Sequence, residues 1–173
     1  MKITILFTTF LLLFFNRSYS QYQWTIKQTA QSSKDTLLSN EKYYLWNEIS
    51  KKVLGYKSQK KGINLAWLSP QKTKQNIIFK DCDTDGVLTE RDSVAICVEG
   101  GAYLRYGARE YGINIVWSQT PVYEWALMSQ NEAITTSVQS PKKYALYNRT
   151  KQAYLIYAEK YDVGVLLQWS DEW

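Results

Sequence analysis

The residues best equipped for chemistry lie in one short run, Asp81-Cys82-Asp83-Thr84-Asp85-Gly86-Val87-Leu88-Thr89-Glu90-Arg91-Asp92. Asp alternates through 81, 83 and 85, Gly86 permits a sharp turn, and Asp92 closes the run. Carboxylates at this spacing can wrap a single hard cation, because calcium takes six to eight oxygen ligands. The candidate ligands are Asp81, Asp83, Asp85, the Val87 carbonyl and Asp92. A calcium ion held there outside the cell would be structural, with a Kd of about 10⁻⁴–10⁻³ M. The alternative is a solvated acidic turn that holds no ion.

This run is similar to the twelve-residue calcium loops of EF-hands and dockerin-like modules. Asp92 at the twelfth position departs from the EF-hand Glu and matches the dockerin-like pattern. The flanks read as strands rather than helices. Other chemistry is thinly supported. The chain has no His, so the commonest general base and metal ligand is missing. No phosphate loop, nucleophile elbow or Cys-based catalytic motif occurs, so a non-enzymatic protein is expected. No catalytic residue and no required cofactor is assigned; structural calcium is the one ion the sequence suggests.

The elements that must position the acidic run are set by a block that occurs three times. Its copies run Tyr43–Trp67, Ser93–Trp117 and Lys143–Trp169, a period of about 50 residues. Leu54, Leu104 and Leu155 recur in step, as do Tyr56, Tyr106 and Tyr157, then Gly62, Gly112 and Gly164, then Trp67, Trp117 and Trp169. A fixed period of this size marks a repeated supersecondary unit. Each copy reads as short strands of Tyr, Trp, Ile, Val and Leu bounded by Gly, Ser, Asn and Lys. Leu54 and Tyr56 are two apart and share a face. The recurring Trp residues are expected to pack in a core. The less regular Trp46, Tyr111, Tyr147 and Tyr161 are the candidates for a surface platform.

A fourth strand is expected at Gln75–Phe79 and again at Tyr123–Leu127. After the third copy the chain ends almost at once, so Tyr22–Ile26 is expected to complete that unit. Closing a barrel this way removes an exposed edge. Trp24 should then be buried beside Trp169 or Trp173. Two polar segments, Gln28–Asn40 and Ser129–Pro141, interrupt the period and read as linking loops.

Residues 1–20 read as a secretory signal peptide: Lys2, an apolar run from Ile3 to Phe15, then Ser18-Tyr19-Ser20 as a cleavage site. The apolar run is shorter than the roughly 20 residues of a spanning helix. The remaining 21–173 suits one domain, with repeats at about 41–92, 93–142 and 143–173 plus the N-terminal strand 21–27. A secreted chain with two cysteines, Cys82 and Cys97, is expected to form one disulfide between them. A loop of that size would contribute about 3 kcal/mol. Removing Lys2 and Arg17 lowers the formal charge from +5 to +3. That balance gives no concentrated basic face for nucleic acid. Asn148-Arg149-Thr150 is a glycosylation sequon on a turn.

Tyr43, Leu45, Asn47, Ser50 and Leu54, and again Tyr144, Leu146, Asn148 and Leu155, open their copies in the manner of a known family. With Gly62 through Trp67 and the degraded Gln-x-Trp elements at Gln75-Asn76-Ile77, Tyr123-Glu124-Trp125 and Tyr22-Gln23-Trp24, the chain resembles ricin-B-type β-trefoil lectin domains. The resemblance implies an all-β fold, a β-trefoil of three pseudo-repeats of four short strands. It also implies a sugar site built on an Asp directly after the Leu of the second strand. Gly55, Arg105 and Ile156 stand at those positions, so a sugar would need another arrangement, such as aromatic stacking with Asn or Lys donors. The expectation is a secreted, lectin-like binding module for an extracellular glycan. The alternative is a trefoil that binds protein, as an inhibitor, receptor ligand or toxin accessory subunit. In either case a monomer is expected, with no nucleic acid and no membrane insertion.

Overall fold

The computed structural model describes residues 24–28, 36–70, 76–83, 86–90, 92–100, 102–129, 137–138, 143–158 and 165–172. The expected signal peptide lies outside them, as do Asp85, Tyr161, Gly164 and Trp173. The described residues form twelve short strands and no helix. Aromatic and β-branched side chains fill these strands, as suits a pleated, half-buried surface.

Strand β1 is Trp24–Gln28. The first unit holds β2 (Lys42–Asn47), β3 (Lys52–Tyr56), β4 (Leu65–Leu68) and β5 (Ile77–Asp81). The second holds β6 (Val94–Val98), β7 (Ala102–Tyr106), β8 (Ile115–Ser118) and β9 (Trp125–Met128). The third holds β10 (Lys143–Asn148), β11 (Ala153–Tyr157) and β12 (Leu167–Ser170). Fourth strands begin two residues later than the alternation suggested, and β4 begins at Leu65 rather than Ile63. In each unit a tight turn precedes the third strand: Leu65, Ile115 and Leu167 donate their N–H to Ile63, Ile113 and Val165.

Six strands close a ring. β1 pairs with β2, β2 with β5, β5 with β6, β6 with β9, β9 with β10, and β10 returns to β1. Closure leaves no free edge among these strands. Three hairpins hang from the barrel, β3–β4 on β2, β7–β8 on β6 and β11–β12 on β10. β1 stands fourth in the third unit. Its Trp24 donates the indole N–H to the Leu155 carbonyl at 2.9 Å, as Trp125 of β9 donates to Leu104 at 2.8 Å.

Trp24 is fully buried, as expected, but its neighbour is different. It stacks on Trp67, ring centroids 5.4 Å apart, and Trp125 stacks likewise on Trp169 at 5.9 Å. The fourth-strand indole of one unit covers the third-strand indole of the next. The hairpin tyrosines repeat that order. Tyr56 meets Trp117 at 6.0 Å, Tyr106 meets Trp169 at 6.0 Å, and Tyr157 meets Trp67 at 5.4 Å. Unit one leans on two, two on three, and three on one.

The far end of the barrel has its own threefold set. Leu37 donates its N–H to Val138, Leu88 to Leu37 and Val138 to Leu88, and all three side chains are fully buried. The two segments read as linking loops, and the acidic run, therefore each contribute one residue to a central plug.

The expected Cys82–Cys97 disulfide is not formed. The β5–β6 register pairs Cys97 with Ile78. Cys82 lies four residues further along, about 13 Å at the rise of a strand. A disulfide needs Cα atoms under about 7 Å apart. Among the described residues, no helix is long and apolar enough to cross a membrane.

Candidate functional site

The acidic run begins where β5 ends. Asp81 pairs across the sheet with Val94 and donates its N–H to Ser39 Oγ at 2.9 Å, so its backbone is fixed by the barrel rather than by the loop. Only 1% of the residue is exposed. Its Oδ1 accepts the Asp83 N–H at 3.4 Å, and its Oδ2 is buried with no hydrogen-bond partner among the described residues. Asp83 is exposed, and Asp92 is half-buried. The Asp92 carboxylate is oriented by Thr89, whose N–H it accepts at 2.6 Å and whose hydroxyl also donates to it.

One carboxylate oxygen from each of Asp81, Asp83 and Asp92 lies within 4.8 Å of the other two. Burial first, then the facing Asp83 carboxylate, with the charge of Asp92 adding, push the Asp81 carboxyl up to about 6. Three of the expected ligands thus converge. Val87 lies opposite Leu38 in an isolated bridge made through Ser39 N–H to Gly86 O and Leu88 N–H to Leu37 O. Its own carbonyl is therefore not bonded to Leu38. Asp85 lies outside the described residues.

A second constellation lies on the hairpin side, at the seam between units one and two. The loop after β3 and the loop after β7 fold alike. Asn64 Oδ1 accepts the Gln59 N–H at 2.9 Å, and Asn114 Oδ1 accepts the Arg109 N–H at 3.1 Å. Gly62 and Gly112 take φ of 77° and 75°, which side chains rarely adopt. The Arg109 guanidinium donates to the Gly62 carbonyl, and Lys61 Nζ sits 5.0 Å from the Tyr111 ring centre. Tyr56 lies against Trp117, and Asn64 Nδ2 reaches its hydroxyl at 3.4 Å. The Glu110 carboxylate holds the Tyr111 phenol above its usual pKa.

The three seams are not equally open. Tyr157 is 9% exposed, Tyr106 is half-buried, and Tyr56 is 41% exposed. Tyr111 is also well exposed. Sequence periodicity grouped Tyr56 with its buried counterparts and so missed it; its neighbouring Lys57-Ser58-Gln59-Lys60-Lys61 run was the available signal. Of the other platform candidates, Trp46 is partly covered by Lys27 Nζ at 4.0 Å, and Tyr147 packs on Tyr154.

Where the lectin resemblance asks for Asp, Gly55 and Ile156 are buried and Arg105 is exposed. Asn148 of the sequon is fully buried. Its amide donates to Glu124 at 3.0 Å and its oxygen accepts the Lys151 N–H at 2.8 Å, so the folded chain offers no free Asn148 side chain. Compared with known proteins, the chain matches no family model, no curated protein and no solved structure.

Proposed function

We propose that the chain is a secreted, non-enzymatic binding module of β-trefoil architecture whose ligand is an extracellular glycan. The closed six-stranded ring, its three hairpins and the cyclic order of Trp and Tyr contacts support the architecture. The observation that carries the functional reading is the open seam. Tyr56 and Tyr111 are the exposed aromatics of this seam, the first beside the Asn64 amide and the second beneath the Lys61 ammonium. Aromatic faces pack against the C–H face of a sugar, while amide and ammonium donors bond its hydroxyls. This arrangement would replace the carboxylate grip that Gly55, Arg105 and Ile156 cannot supply.

A glycan array probed with the wild-type chain and with a Tyr56→Ala/Tyr111→Ala variant tests the reading. Binding that is competed by free sugar and lost in the variant is expected. An array that stays silent, while the chain captures a protein from extracellular extract, would favour the protein-binding alternative.

A further inference from the structure

We infer that Asp81, Asp83 and Asp92 form a divalent-cation site of the hard-oxygen, calcium-binding class, independent of the aromatic seam. Two observations meet there. One oxygen from each carboxylate lies within 4.8 Å of the other two. The Oδ2 atom of Asp81, in a residue 1% exposed, is buried without a hydrogen-bond partner among the described residues.

An unpartnered buried carboxylate oxygen is costly, and two facing carboxylates make it costlier. The barrel holds the Asp81 backbone in place through its pairing with Val94 and its N–H bond to Ser39, and the side chain lies buried there. A cation removes both penalties at once. The ligand chemistry selects among cations. Calcium accepts six to eight oxygens in a flexible shell, whereas magnesium demands a near-ideal octahedron and dehydrates reluctantly, so it is seldom held by an all-protein cage. Zinc and copper favour imidazole and thiolate, and the group contains neither, only carboxylates. Three carboxylates supply three to six oxygens, and water can complete the shell. Thr89 already orients Asp92 by two hydrogen bonds.

The site joins two parts of the fold. Asp81 ends a barrel strand, and Thr89 bridges to Ser137 next to the buried plug of Leu37, Leu88 and Val138. An ion there would tie the end of unit one to the axis of the molecule.

The test is thermal unfolding and calorimetric titration of the full chain with calcium chloride, magnesium chloride or a chelator. The wild type is expected to melt several degrees higher in millimolar calcium than in chelator, with a Kd of about 10⁻⁴–10⁻³ M and a much smaller magnesium response. Asp81→Asn should melt higher than the wild type in chelator, since it removes the buried charge, and should lose the calcium shift. Asp83→Asn, on an exposed position, should fold normally and weaken calcium roughly tenfold or more. A wild type with the same melting temperature and no heat of binding in 10 mM calcium overturns the proposal, as does an Asp81→Asn variant that binds calcium as tightly as the wild type.

Discussion

At the scale of single residues, the same residue type does different work in different units. Trp24 and Trp125 are buried and donate their indole N–H to a strand carbonyl. Trp67, Trp117 and Trp169 lie further out, and their indole nitrogens have no protein acceptor among the described residues. Replacing Trp24 by Phe keeps the stacking on Trp67 but removes the indole bond to the Leu155 carbonyl. A cost of about 0.5–1.5 kcal/mol follows from the lost hydrogen bond, read as a lower urea midpoint with an unchanged slope. The burial of Trp24 was legible in the sequence, from the need for a strand to complete the third unit and close the barrel. Its neighbour was not, because alignment of repeats shows equivalence and not which unit leans on which. The acidic run was legible for a different reason. Its residues are local, and a turn between paired strands brings Asp81, Asp83 and Asp92 together without long-range information.

At the scale of elements, the hairpin turns carry the differences between units. Lys51 and Gln152 occupy matching turn positions with φ of 54° and 58°. Each N–H returns to the Asn that opens its turn, Asn47 or Asn148, at 3.0 and 2.8 Å. Gln152→Gly relieves the left-handed strain and is expected to raise stability by up to about 1 kcal/mol, measured by chemical denaturation. Gly107 has the opposite constraint: a Cβ there would lie 2.7 Å from a methyl of Val116. Gly107→Ala should therefore cost about 1–3 kcal/mol, and a Val116→Ala change made alongside it should recover part of that loss in a double-mutant cycle. The linking segments were the elements read least well. Their polar composition concealed Leu37 and Val138, since one buried residue in a polar stretch leaves no periodic signal. The disulfide failed for a register reason. Sequence separation placed Cys82 and Cys97 close, and the β5–β6 pairing keeps them about four residues apart along the strands.

At the scale of the whole molecule, one chain closes on itself at two levels. The barrel closes when β1 pairs with both β2 and β10, and the plug closes when Val138 donates to Leu88. Every unit depends on its neighbours, so the chain should unfold as one cooperative unit. Leu88→Ala, which empties the plug, is expected to cost about 2–5 kcal/mol and to lower a single calorimetric transition rather than split it. The threefold plan was legible as a period of about 50 residues, and the ring of strands agrees with it. The departure from that plan matters most for function. Tyr56 is open where Tyr157 is buried, so the proposed glycan platform belongs to one seam only. The most direct test is an amide and indole NMR titration of the ¹⁵N-labelled chain with a panel of extracellular oligosaccharides. Saturable shifts confined to Tyr56, Lys61, Asn64, Tyr111 and the Trp117 indole are expected. Shifts centred on another seam, or none at saturating sugar, would contradict a glycan platform at this seam.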